Sequence, residues 1–271
     1  MTAINDFIKR HPLPLYFTLA FAISWGAILI LVGPEGIPAT ADQLVVLGMA
    51  MLLGPSVAGI LLTGLASGRV GFRELLSRLL RWRVSAHWYA VALLTAPLST
   101  AAVLLALSLF SPEFAPSILT SDGKAALILM GIVGGLTVGF FEELGWTGFA
   151  IPRMRLRYGI LATGLIVGLL WGAWHFLPFW ESDSFSEAFP MALLLARLFS
   201  WLPPYRVLMV WVYDRTESLL VAMLMHVSLV ATLQIIDPWL TGGRLLTFIL
   251  VRAAVFWVIV VAVLWAQRRA P

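Results

Sequence analysis

Two adjacent glutamates, Glu142 and Glu143, stand inside a long apolar run, Phe140-Phe141-Glu142-Glu143-Leu144-Gly145-Trp146-Thr147-Gly148-Phe149. An ionised side chain in the hydrocarbon core costs roughly 3 kcal/mol or more on insertion scales, so a pair of them marks an intramembrane functional site rather than packing. Two of the four histidines have similar surroundings: His175, in Trp171-Gly172-Ala173-Trp174-His175, and His226, in Met225-His226-Val227-Ser228. His11 and His87 fall at the edges of apolar runs.

Glu, Glu, His and His allow a limited chemistry. A carboxylate withdrawn from water can serve as a general base near neutral pH. A neutral histidine can orient the same water or protonate a leaving group, and a second can stabilise an oxyanion. Together they suit hydrolysis of a carbonyl compound by activated water. One Glu with two His is also a plausible zinc set, although no His-Glu-x-x-His pair is present. Ser228 lies near His226, but there is no Gly-x-Ser-x-Gly elbow. The chain has no cysteine, which removes thiolate nucleophiles, Cys-type zinc sites and disulfides.

The elements that must position these groups are transmembrane helices. Hydrophobic residues make up 61% of the chain and charged ones only 12%, which places it among polytopic membrane proteins. Eight apolar runs are long enough to span a bilayer: about 14–33, 44–66, 88–110, 125–151, 160–180, 190–213, 217–236 and 245–266. The expected fold is therefore all-α, with about eight transmembrane helices in a single domain, 1–271. Basic residues collect in alternate connections, and 13 of the 18 fall on the side that holds Lys9 and Arg10. By the positive-inside rule both termini are cytoplasmic. The net charge of +4 follows this topology and does not point to nucleic acid. The segment 68–87 reads as an interfacial amphipathic helix, with Leu75, Leu76, Leu79 and Leu80 on one face and Arg73, Arg78 and Arg81 beside it. Trp201-Leu202-Pro203-Pro204-Tyr205-Arg206 interrupts the sixth run as a kink or as two half-spans. Gly131, Gly135 and Gly139, and again Gly164, Gly168 and Gly172, recur every four residues and suit close helix contact.

Depth brings the polar groups together. If the fourth and fifth runs form a hairpin that turns at Gly159 as a helix C-cap, Glu142 lies 17 residues before the turn and His175 16 after it. Both then sit roughly 25 Å from the turn, provided the fourth helix continues through Pro152. His226 lies 12 residues beyond Asp214, roughly 18 Å from its own turn, and a modest tilt would bring all three to one level.

These residues resemble the motifs of the CPBP intramembrane glutamic endopeptidases, the group of type 2 CAAX prenyl proteases, Abi-type immunity proteins and lysostaphin-resistance proteins. Glu142-Glu143 looks like the paired-glutamate motif, Trp171 and His175 match the aromatic residue four before a histidine, and His226 matches the third motif. The resemblance covers about 127–237. It implies that Glu142 and His175 activate water, that His226 holds the oxyanion and that Glu143 is an auxiliary carboxylate, with no metal required. Two positions depart from the pattern. Thr147 stands where arginine usually follows Glu143, so a cation would have to come from elsewhere, such as Arg197, Arg206 or Arg252. Val230 stands where asparagine usually assists the last histidine, with Ser228 and Gln234 as the nearest substitutes. The implied activity is intramembrane hydrolysis of a peptide bond in a membrane-embedded peptide or lipidated protein, in a bacterial plasma membrane. The alternative is a weak or inactive member that acts as an immunity or partner-binding protein.

Overall fold

The structure is a computed structural model that describes residues 2–33 and 40–269. Each apolar run is helical. An amphipathic α1, Thr2–Arg10, leads into α2, Pro12–Val32, where Pro12 opens the helix and has no intrahelical N–H to lose. Then come α3, Ala41–Leu79, and α4, Ala86–Ser108. A 3₁₀ turn, Pro112–Phe114, and the short α5, Ser117–Thr120, cover one end. The fourth run is α6, Lys124–Gly145, followed by a π-helical turn, Trp146–Ala150, and α7, Ile151–Arg155. The fifth is α8, Ile160–Trp174, with the one-turn α9, Phe176–Phe179. The sixth is split into α10, Ala188–Phe199, and α11, Leu202–Thr216. Finally come α12, Leu219–Ile235, and α13, Gly242–Arg269. The connection between the first two apolar runs falls mostly on 34–39, outside the described residues.

Among the described residues six segments are long and apolar enough to cross a membrane, and α8 and α12 are shorter apolar helices. The outer faces are apolar too: Leu129 is 64% exposed and Val258 68%. That pattern belongs to an all-α, multi-pass integral membrane protein. Ion pairs at the rims join connections that the charge alternation assigns to one side: Arg81 with Glu217 and Arg155 with Asp214 at one end, Arg244 with Glu113 at the other, where Arg252, buried inside α13, also reaches Asp237. At the latter end, burial raises the Asp237 carboxyl above its usual range, and the Arg252 guanidinium opposes this.

Several local expectations need correction. Gly159 is not a left-handed C-cap; it precedes α8 with φ −66° and ψ 170°. The amphipathic segment is helical only to Leu79, and it is set off from the first part of α3 by Gly68 at φ 55°. Its leucines do not share one face. Leu75 and Leu79 pack onto Leu144, Leu219 and Met223, whereas Leu76 and Leu80 point outward. A helix that also rests on the bundle must turn some of its apolar residues inward.

The two glycine stripes fit neighbouring helices against each other. A Cβ built on Gly135 would lie 2.7 Å from the Val227 carbonyl oxygen, so α6 runs backbone to backbone along α12. A Cβ on Gly168 would lie 2.6 Å from the Pro203 Cα, which seats α8 on α11. These contacts bring the helices of Glu142, His175 and His226 into one core.

Candidate active site

Glu143 is the most enclosed of the four residues. Its Oε1 accepts from Arg206 Nη1 at 2.7 Å and from His226 Nδ1 at 2.8 Å, and its Oε2 accepts from the Thr147 hydroxyl. Glu143 and Arg206 are both fully buried. All three partners donate, so both oxygens act as acceptors, which suits the carboxylate rather than the acid. Thr147 therefore keeps the i, i+4 relation as a hydrogen bond, and the cation comes from α11. Of the three arginines that could have supplied it, Arg197 pairs with Glu181 and Arg252 with Asp237.

Trp171 connects the rest. Its indole N–H donates to Glu142 Oε2 at 2.7 Å, and its backbone carbonyl accepts from His175 Nδ1 at 2.7 Å. Its ring meets the His226 ring edge to face at 5.2 Å, and the Arg206 guanidinium lies 4.1 Å from its centroid. A carbonyl can only accept, so His175 Nδ1 carries a proton, and in the neutral ring Nε2 then holds the lone pair. His226 likewise presents Nδ1–H to Glu143, with Nε2 on the far edge. Among the described residues, Oε1 of Glu142 has no hydrogen-bond partner. His175 is the C-cap residue of α8 rather than an interior position, and its backbone N–H turns to the Gly172 carbonyl at 3.0 Å, which leaves the Trp171 carbonyl free for its ring.

The backbone near the carboxylates is unusual. Pro152 has no N–H for the Gly148 carbonyl four residues earlier, and its ring would crowd that carbonyl in a regular helix. The chain widens into the π turn Trp146–Ala150, and the Gly148 carbonyl accepts from Arg78 Nη2 at 2.9 Å instead. Arg78 Nη1 also donates to the Tyr213 hydroxyl at 3.0 Å, tying the amphipathic segment to the π turn and to α11. Pro203 and Pro204 stand in the first turn of α11, where they start the half-span and set Arg206 one turn inside it.

Neither proposed substitute for asparagine reaches the site. The Ser228 hydroxyl donates to the Leu93 carbonyl at 2.7 Å, and Gln234 lies against Gly134 of α6. A metal is not suited to this arrangement. Among the described residues no three His, Asp or Glu side chains converge, and Glu143 and His226 are already bonded to each other beside a guanidinium. Sequence reasoning did not find Thr147 as a partner of Glu143, nor Arg78; it offered Arg206 only as one of three arginines. The placement of two prolines just before Arg206 was the available signal.

Residues 124–232 match the family model of the type II CAAX prenyl endopeptidase Rce1-like proteins. A segment is also 27% identical over 89 residues to CAAX prenyl protease 2 of Methanococcus maripaludis, covering 32% of this chain. The match spans 33% of that relative's length. Both findings support the CPBP/CAAX protease family read from the motifs.

Proposed function

We propose that this protein is an intramembrane endopeptidase in which Glu142 and His175 activate water. The observation that carries this reading is Trp171, which donates to Glu142 and anchors His175 through its own carbonyl. One residue thus holds a base and an imidazole lone pair to a common framework. Water hydrogen-bonded to Glu142 Oε1 and His175 Nε2 attacks the peptide carbonyl carbon. Glu142 takes the proton, and the proton passes to the leaving amine as the C–N bond breaks. His226, as an imidazolium bonded to Glu143, would donate from Nε2 to the developing oxyanion. Glu143 and Arg206 hold that imidazole in place. The acting unit is the chain 1–271, with its core at about 127–237.

The substrate would be a membrane-embedded peptide or lipidated protein. The name of the Methanococcus maripaludis relative suggests a prenylated substrate. The setting would be a bacterial plasma membrane with the arginine-rich side in the cytoplasm. The immunity or partner-binding alternative rested partly on the missing cation at Thr147, and Arg206 removes that support. In proteoliposomes, Glu142→Gln and His175→Ala should each abolish cleavage of prenylated CAAX-type peptides while the protein stays folded. Normal cleavage by Glu142→Gln would overturn the reading.

A further inference from the structure

A groove of about 440 Å³ opens between the start of α2, the exit of α7 and the flank of α8. Three arginines, Arg10, Arg153 and Arg157, line one end, and no Asp or Glu lines it anywhere. Among the described residues none of the three forms an ion pair. Arg153 is held instead by the Phe149 carbonyl, 2.9 Å from Nη1, and by the Phe149 ring. Apart from His11 and Tyr158, the rest of the lining is apolar. Phe17 is five residues into α2, and Ile166 and Leu170 are six and ten residues into α8. At ~1.5 Å per residue the apolar wall rises from the cationic end to roughly 15 Å inside the membrane-spanning part.

The larger cavity at the same end, about 560 Å³, differs in charge. Glu74, Asp214 and Glu217 line it along with its arginines, and two of those arginines are already paired. Arg153 borders both cavities, whereas Arg10 and Arg157 line only the groove, where their unpaired positive charge meets an apolar channel running into the bilayer. We propose that it is a binding site for an anionic phospholipid. The headgroup phosphate would sit among Arg10, Arg153 and Arg157, and an acyl chain would lie along Phe17, Ile166 and Leu170. Guanidinium groups suit phosphate oxygens through paired N–H donors. The apolar wall separates a lipid from a free phosphate ion, which would use the arginines alone.

The test is native mass spectrometry of the full chain released from nanodiscs of phosphatidylcholine doped with phosphatidylglycerol. One phosphatidylglycerol should be retained per chain, with no matching phosphatidylcholine, and neither inorganic phosphate nor glycerol phosphate should displace it. Arg10→Gln/Arg157→Gln should weaken retention roughly 30-fold, two arginines at an anionic surface each contributing about fivefold. Both are exposed, so folding should be unaffected. Arg268→Gln/Arg269→Gln, on the same side but outside the groove, should leave retention unchanged. Equal retention of phosphatidylcholine, displacement by inorganic phosphate, a second copy of the chain in place of lipid, or an unchanged double variant would each overturn the proposal.

Discussion

Arg206 and Glu143 form an ion pair at 2.7 Å with neither side chain exposed, and they stand 63 residues apart, on α11 and α6. The contact replaces a local i, i+4 pair with a tertiary one, so stability and site geometry become linked. Removing one partner of a buried pair costs about 3–5 kcal/mol, because the other charge is left uncompensated. Arg206→Met should therefore destabilise the protein strongly, as should Glu143→Gln. The double variant should lose less than the sum of the two. Thermal unfolding of all four proteins in one detergent gives the cycle, and additive losses would contradict the pairing.

Trp171→Phe separates the indole N–H from the ring. The substitution keeps an aromatic surface beside Arg206 and His226 but removes the donor to Glu142. A hydrogen bond to a charged group contributes about 1.5–3 kcal/mol, so cleavage should fall roughly ten- to a hundredfold. The melting midpoint should move far less than for Trp171→Leu, which also removes the face over which the guanidinium lies. Peptide cleavage and unfolding measured on the same preparations distinguish the two effects.

The helical framework was legible because lipid enforces it. Every one of the eight apolar runs is helical, since in hydrocarbon the backbone must satisfy itself. The glycine stripes were legible for a related reason: small residues every four positions leave one side of a helix free for a neighbour. What escaped were contacts between distant segments and departures from regular helix. The spacing of Glu143 and Thr147 suggested a lost partner, whereas threonine donates over the same reach. Nothing local to Arg206 said which carboxylate it would meet among Glu143, Glu181 and Asp237. Gly159 was misassigned because glycine fits either end of a turn, and only its φ decides between them. The split of Leu75 and Leu79 from Leu76 and Leu80 was hidden because an apolar stripe does not say whether lipid or protein covers it.

Gly135 tests the close contact of α6 and α12 without touching the polar groups. A β-carbon there meets the Val227 carbonyl oxygen and side chain, and neither can retreat without moving α12. Gly135→Leu should destabilise by about 1–3 kcal/mol through overpacking. It should also lower cleavage, because α12 carries His226. Gly243→Ala, where an added Cβ meets nothing within 4 Å, serves as the matched control and should be neutral. Urea or thermal unfolding of both variants checks the contrast.

Val230→Asn tests whether the site lacks an oxyanion donor. Val230 lies one helical turn after His226 on α12, so an amide there shares the face of the imidazole. Ser228 bonds to Leu93 and Gln234 packs at Gly134, so neither supplies that donor. Loss of one oxyanion donor costs on the order of 100- to 1000-fold in kcat. Its restoration should raise kcat by at least about tenfold while KM changes little, because the donor acts on charge that develops in the transition state. The gain should disappear in Val230→Asn/Glu142→Gln, since the oxyanion forms only if water attacks. Single-turnover cleavage of one prenylated peptide by the three proteins decides the matter. An unchanged kcat in folded Val230→Asn would mean that another group already fills the role, and the buried Arg206 Nη2, which has no partner among the described residues, would be the first to replace.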